Sequence, residues 1–134
     1  MSPDEDEWVL RFLDEVVEAL IPVEADLRTW DPALSLHAVL SEGDVVGVAI
    51  EGAGVPFLAY TAGRVPGEPL ADLTAGLADV VQGEVMDQYV TRFWPSCSTH
   101  GRGLHAEVRG GEAVWWCRGG GHAFSSIGQL GLVV

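Results

Sequence analysis

Both cysteines and three of the four histidines of this chain lie in residues 97–122, CSTHGRGLHAEVRGGEAVWWCRGGGH. The segment opens with Cys97 and His100 and closes with Cys117 and His122. Thiolate and imidazole groups in short-spaced pairs are the ligands that a tetrahedral Zn²⁺ accepts. The pattern therefore predicts a metal site with these four residues as ligands and Zn²⁺ as cofactor.

The expected site is structural, because four protein ligands leave no open position on zinc for a substrate. The identity of the fourth ligand stays open. We prefer His122 to His105, because His105 falls inside an expected strand and would point away from the site. A disulfide between Cys97 and Cys117 is the alternative in an oxidising compartment.

The residues between the two pairs predict a β-hairpin. The runs HAEV and AVWWC are short and strand-like, and they flank the glycine-containing turn RGGE. A two-stranded hairpin is too small to be stable by itself, so we expect the metal to staple it as a zinc-ribbon-like element. We expect Trp115, Trp116, Arg102 and Arg109 to form its partner-binding surface.

The preceding residues predict two helices separated by three strands. Ser2, Pro3 and Glu5 form a capping pattern at the start of a helix. Apolar residues recur at helical spacing after it, and we expect Trp8 and Phe12 among them to lie in the core. Pro22 is expected to end the helix. Alternating runs near residues 34–40, 45–51 and 55–61 predict an antiparallel meander. Helical periodicity returns from Leu70 to about residue 93.

These elements predict an α+β fold: N-terminal helix, three-stranded antiparallel meander, second helix and C-terminal zinc-ribbon-like hairpin. We place the boundary between an acidic body, residues 1–93, and a C-terminal hairpin packed on it, residues 94–134. Residues 1–90 carry 18 acidic side chains and three arginines, a net charge of −15. Residues 91–134 carry four arginines and two glutamates, a net charge of +2.

Charge and hydropathy limit the expected partners. An acidic body repels phosphate backbones, so we do not expect a nucleic acid as the partner. The apolar runs are shorter than the roughly 20 residues of a membrane span, and the start MSPDEDE is unlike a basic secretory signal. We therefore expect a cytoplasmic protein whose partner is another protein.

The C-terminal half resembles a known sequence pattern over roughly residues 70–130. It is similar to small actinobacterial proteins of no assigned activity, in which a helix precedes Trp-Pro, Cys-x2-His, Trp-x-Cys and Ile-Gly-x-Leu. The matching positions here are Trp94, Pro95, Cys97, His100, Trp115, Cys117, Ile127, Gly128 and Leu130. The resemblance implies a bacterial source and an architecture, but no reaction.

The leading functional hypothesis is a small non-enzymatic protein-interaction module with a structural zinc site. The alternatives are an immunity or inhibitor-type protein that masks a basic partner, a zinc ribbon that contacts nucleic acid, and a hydrolase or thiol enzyme. Ser125, Ser126 and His122 would be the hydrolase candidates, and Cys117 the candidate nucleophile. Neither serine lies in a G-x-S-x-G motif, so the enzyme is the weaker hypothesis.

Overall fold

The computed structural model of the chain describes residues 3–42, 45–52, 57–60, 66–88 and 94–132, with side chains described except at residues 3–6, 57–60 and 88. The helices are α1 (Pro3–Trp30) and α2 (Leu70–Gln88). The strands are β1 (Ser35–Ser41), β2 (Val45–Glu51), β3 (Phe57–Tyr60), β4 (Ser96–Cys97), β5 (Arg102–Gly103), β6 (His105–Arg109), β7 (Glu112–Cys117) and β8 (His122–Ser126). A short 3₁₀ turn covers Leu130–Leu132.

Helix α1 continues past Pro22, so the predicted end at this proline is wrong. A proline inside a helix removes one backbone hydrogen bond and costs about 3 kcal/mol. Val23 and Leu27, which follow it, are fully buried on the face that also carries Val16. Their burial, at about 1.5–3 kcal/mol for each side chain, offsets the loss.

The apolar stripes of the two helices were predicted in most of their positions. Phe12 is buried as expected, but the side chain of Trp8 is 45% exposed. Leu73, Leu77, Val81 and Val85 of α2 form a buried stripe. The predicted extension of α2 over residues 89–93 lies outside the described residues.

The α+β class, with two helices and antiparallel strands, is confirmed. The strands are distributed over three sheets, and this corrects the expected arrangement of one meander and one hairpin. The first sheet has the order β1-β2-β3, with Ser35 opposite Glu51 and Ser41 opposite Val45. A two-stranded ribbon, β4-β5, and a sheet of order β6-β7-β8 follow.

The expected C-terminal hairpin is thus the first half of a three-stranded sheet. Strand β8 pairs with β7 from His122 opposite Cys117 to Ser126 opposite Val114, with an irregularity beside Trp115. No strand was predicted after Cys117, and HAFSS has no regular apolar alternation. Pairing with β7 supplies hydrogen bonds that do not depend on such a pattern.

Residues from both parts of the chain share one hydrophobic core. Leu27 of α1 and Leu77 of α2 belong to the same buried cluster as Leu104 and Trp115. The division at residue 94 therefore remains a prediction about which parts unfold separately. In the described part of the chain, no helix is long and apolar enough to cross a membrane.

Candidate metal centre

The four residues predicted as ligands lie together, with their donor atoms all within 4.8 Å of one another. Nδ1 of His100 is 3.3 Å from Sγ of Cys97 and 3.4 Å from Sγ of Cys117. Nε2 of His122 is 3.7 Å from Sγ of Cys97. This Cys2His2 cluster could hold a metal ion.

The three S···N separations fit the ligand shell of a tetrahedral ion. Zn–S bonds of about 2.3 Å and Zn–N bonds of about 2.0–2.1 Å, at tetrahedral angles, place neighbouring donor atoms roughly 3.3–3.8 Å apart. The three S···N distances span 3.3–3.7 Å. Both cysteines are free thiols, so the structure does not contain the alternative disulfide.

Two turns of the same backbone geometry carry the cysteines. In the first turn the N–H of Gly101 donates to the carbonyl of Cys97 at 2.7 Å. In the second turn the N–H of Gly121 donates to the carbonyl of Cys117 at 2.8 Å. The two glycines have φ of +63° and +64°, which other residues rarely adopt. Each turn therefore needs a glycine four positions after its cysteine.

The turns also direct backbone N–H groups at sulfur. The N–H of Gly120 lies 3.4 Å from Sγ of Cys117. Burial of Cys97 raises its pKa. Hydrogen bonds from the backbone N–H of His100, the rings of His100 and His122 and the N–H of Thr99 lower the pKa by more than burial raises it, so that it falls to about 6. A thiol with this pKa is largely thiolate at neutral pH, which is the form that binds metals.

The two turns differ in where they place the histidine. His100 stands three positions after Cys97, whereas the equivalent position after Cys117 is Gly120. A Cβ on Gly120 would lie 2.7 Å from Nδ1 of His100, so the imidazole of the first turn occupies the space above the second. Gly120 is a positioning residue for His100, and the sequence offered no signal for it.

His122 reaches the cluster from the start of β8. Its Nδ1 lies 3.2 Å from the carbonyl of Ala123, an arrangement that favours a proton on Nδ1 and leaves the lone pair on Nε2. Nε2 is the atom that faces Cys97. Among the described residues, His105 lies outside the cluster, in agreement with the preference for His122.

A buried glutamine of α2 connects the chain on either side of the first turn. Nε2 of Gln82 donates to the carbonyls of Trp94, at 3.0 Å, and Leu104, at 2.6 Å. The N–H of Leu104 donates to the carbonyl of Pro95 at 2.8 Å. Gln82 therefore fixes the base of the turn that carries Cys97 and His100.

A buried aspartate of α1 anchors the last strands. Asp26 accepts hydrogen bonds from Nε1 of Trp115 at 2.7 Å, the N–H of Gly128 at 2.6 Å and the N–H of Leu130 at 3.0 Å. Burial raises the pKa of Asp26 above 3.8, although the three donors act to lower it. In the sequence, Asp26 could not be distinguished from the many other acidic residues of this chain.

The predicted partner-binding residues have different environments. Trp115 is fully buried against Trp94, so its side chain is a core residue and is not accessible to a partner. Trp116 is half-buried, and the guanidinium of Arg109 lies 4.0 Å from the centre of its ring. Arg102 lies in another part of the surface, beside α2. A partner-binding role for the last three stays a prediction.

The hydrolase arrangement of Ser125, Ser126 and His122 is not assembled. Oγ of Ser125 donates to the carbonyl of Ser126, and Oγ of Ser126 donates to Glu112. The imidazole of His122 instead contacts Cys97 and the carbonyl of Ala123.

No family model, curated protein or solved structure matches this chain.

Proposed function

We propose that this chain is a protein-interaction module whose C-terminal strands are held by a structural Zn²⁺ bound to Cys97, His100, Cys117 and His122. The observation that carries the proposal is the approach of four soft and borderline donor atoms to within 4.8 Å of one another. Two thiolates and two imidazoles complete a tetrahedral shell, which leaves no open position for chemistry. Buried free thiols fit a reducing compartment, and we propose the cytoplasm.

An interaction role is supported first by an exposed stripe on α1. Leu10, Val17 and Ile21 are 57%, 51% and 66% exposed. Their spacing of seven and four residues places them on one side of the helix. The stripe also includes Glu7, Asp14 and Glu24, at spacings of three or four residues from these apolar positions. A face that mixes apolar and acidic residues is suited to an apolar and basic partner.

The second support is the edge of β1 that borders α1. The N–H of Leu36 donates to Oε2 of Glu24 at 2.8 Å, so it points away from β2. Alternate residues of a strand direct their N–H groups to the same side, so those of Ala38 and Leu40 also face outward. Within the described ranges, β1 pairs with β2 and with no other strand. We propose that the outward N–H groups of Ala38 and Leu40, beyond the one that Glu24 already binds, donate main-chain hydrogen bonds to a partner.

The stripe and the edge meet in one groove. A cavity of about 290 Å³ is lined by Val17 and Ile21 of α1 and by Leu36 and Ala38 of β1. We propose that an extended segment of another protein, alternating apolar and basic residues, adds to the edge of β1 and places its apolar side chains here. Main-chain hydrogen bonds supply affinity in this mode, and the side-chain groove supplies specificity.

A defined peptide tests this docking site. The blocked peptide Lys-Val-Lys-Val-Lys-Val-Lys, fluorescently labelled, is titrated with the zinc-loaded protein and followed by polarisation. Ala38→Pro removes one outward N–H, and we expect it to weaken binding at least about tenfold, or about 1.4 kcal/mol. Ala38→Ser keeps the N–H and should bind as the parent does.

A second pair of measurements separates the edge from general charge attraction. Ile21→Gln removes apolar contact without changing charge and should also weaken the peptide complex. A peptide methylated at alternate backbone nitrogens keeps its charge but loses main-chain donors, so it should not bind. Equal binding of the methylated and parent peptides, or equal affinity of Ala38→Pro and Ala38→Ser, would contradict the proposed site.

The competing binding hypotheses differ in which surface they use. An immunity or inhibitor-type protein would use the same groove, with the acidic residues of the α1 stripe beside it, to mask a basic segment, so it is a special case of this proposal. A nucleic-acid contact would need several free arginines, but Glu107 binds both Arg109, at 2.8 Å, and Arg118, at 3.1 Å, which leaves Arg102 as the unpaired described arginine of the C-terminal strands. These two ion pairs favour a protein partner.

A further inference from the structure

A second cavity, of about 640 Å³, lies between α2 and the two cysteine-bearing turns. Its walls include Gly83 and Met86 of α2, Arg102, Leu104, His105 and Arg118. The volume falls within the range of about 300–1,000 Å³ that is usual for small-molecule sites. None of its lining residues lines the groove beside β1, and none is a proposed metal ligand.

The chain contains 20 acidic residues and only seven arginines, so most arginines are expected to have an acidic partner. Arg11 pairs with Glu15, and Arg109 and Arg118 pair with Glu107. The part of the chain that the structure describes provides Arg102 with no ion-pair partner, although Asp79 lines the same cavity. Among the described residues neither Arg28 nor Arg102 has an ion-pair partner, and Arg102 is the one of these two that lines the cavity.

The stem of Arg102 passes close to Gly119. A Cβ at residue 119 would lie 2.8 Å from Cδ and 3.3 Å from Nε of Arg102, so a larger side chain there would displace the arginine. Gly119 lines the cavity with Arg102. The glycine-rich second turn thus leaves space for the stem of Arg102 beside the cavity, and it also carries Cys117 of the metal cluster.

Gly83 provides an independent observation on the opposite wall. Glycine in the middle of a helix is unfavourable relative to alanine, and a packing constraint commonly explains it. At Gly83 there is none, because an added Cβ would meet no atom within 4 Å. Gly83 is exposed and borders the cavity. The missing side chain leaves room at the cavity wall.

We propose that this cavity binds a small organic carboxylate, with its apolar body against Met86 and its carboxylate on Arg102. A planar guanidinium matches a carboxylate through two parallel hydrogen bonds. A single negative charge suits the site better than two, because Asp79 lines it and Glu107 lies against Arg118. This proposal depends on neither the peptide groove nor the choice of metal.

A titration of the isotope-labelled, zinc-loaded protein with 4-phenylbutyrate tests the site by amide NMR. We expect saturable shifts at the amides of Gly83, Gly101, Gly103 and Gly119, which line the cavity. The neutral amide of the same compound should bind at least about tenfold more weakly, because it lacks the charge. The phosphate monoester of 3-phenylpropanol should bind more weakly than the carboxylate.

Three variants separate the site from its surroundings. Arg102→Met should weaken 4-phenylbutyrate at least about tenfold, whereas Arg28→Met, which removes an exposed arginine outside the cavity, should not. Gly83→Ala should raise the melting temperature by about 4 °C and weaken the carboxylate. The opposite signs of these two effects are the signature of a glycine retained for an open cavity.

Several results would overturn the proposal. These are the absence of saturable shifts at the four glycines, equal binding of the carboxylate and its amide, and tighter binding of the phosphate. Unchanged affinity in Arg102→Met would do the same. Because Gly83→Ala is expected to be more stable than the parent, weaker binding by that variant could not be attributed to unfolding.

Discussion

Helix α1 and the C-terminal strands contribute to one core but are stabilised in different ways. Val16, Val23 and Leu27 of α1 are fully buried and recur with helical spacing, so the helix is held by a continuous apolar stripe. The strands from residue 96 to 126 are two to six residues long. They are held by buried polar anchors, Asp26 and Gln82, and by the proposed zinc.

The comparison shows where a short β-structure obtains its stability. Strands of this length bury little apolar area, and their order depends on a few directed contacts. A carboxylate with three N–H donors and an amide with two carbonyl acceptors fix the ends of the strands. Removing directed contacts should therefore harm the C-terminal strands more than the helix.

Chelation gives the largest expected effect. Removing zinc with a strong chelator should lower amide protection across residues 94–132 at least about 100-fold, because metal binding contributes directly to folding. Amides of α1 between Val9 and Leu27 should change less than about tenfold. Hydrogen exchange with mass spectrometry measures both, and equal loss in the two regions would show one cooperative unit.

Replacement of Asp26 gives the next largest effect. Asp26→Ala leaves one buried and two partly buried N–H groups without their acceptor, and we expect a loss of about 3–5 kcal/mol in the free energy of unfolding. Asp26→Asn should cost less, because it keeps one acceptor oxygen and relieves the buried charge. Chemical denaturation of the three proteins at neutral pH measures the order, and equal stability of Asp26→Ala and the parent would refute the anchor.

The pH dependence of the same anchor has a definite sign. Burial raises the pKa of Asp26 in the folded state above its ordinary 3.8, so the folded protein holds this proton more tightly than the unfolded chain does. The stabilisation from protonated Asp26 is complete below 3.8 and is lost as pH rises through the folded-state pKa. The stability of the parent minus that of Asp26→Asn should therefore decrease as pH rises.

How much of this region could be predicted from sequence depends on the range of each contact. The four proposed ligands were predicted because each Cys–His pair is closely spaced in sequence and because clustered cysteine and histidine side chains are typical metal ligands. Asp26 and Gln82 could not be predicted, since their partners are 89–104 and 12–22 residues away. Trp115 and Trp116 are adjacent in sequence, and only the pairing of β7 shows which one is buried.

The helices show the same limit in another form. The apolar stripe of α1 was predicted by its period, but the predicted end at Pro22 was wrong. The helix continues because later residues are buried, and their burial depends on tertiary packing that the local sequence does not show. Trp8 was expected in the core from its size and spacing, and it is 45% exposed. In β1 the predicted alternation holds at Leu36, which is buried, and His37, which is exposed, but Leu40 near the end of the strand is 48% exposed.

Two of the three glycines of the second turn, Gly119 and Gly120, give the smallest expected effect and the finest distinction. Gly120→Ala should displace His100 and weaken zinc binding about tenfold, whereas the neighbouring Gly119→Ala should displace Arg102 and weaken 4-phenylbutyrate. Competition with a chromogenic zinc chelator measures the first effect, and amide NMR measures the second. Two variants that alter both ligands equally would show that the turn responds as a whole.

The central claim is that Cys97, His100, Cys117 and His122 bind one structural zinc, and the metal content of the purified protein tests it most directly. We expect one zinc per chain by elemental mass spectrometry, and no retained zinc after Cys97→Ser or Cys117→Ser. Ser98→Ala, in the same turn but outside the cluster, should retain the metal. Protein purified without chelators that contains no zinc, or a Cys97→Ser variant that keeps it, would contradict the account.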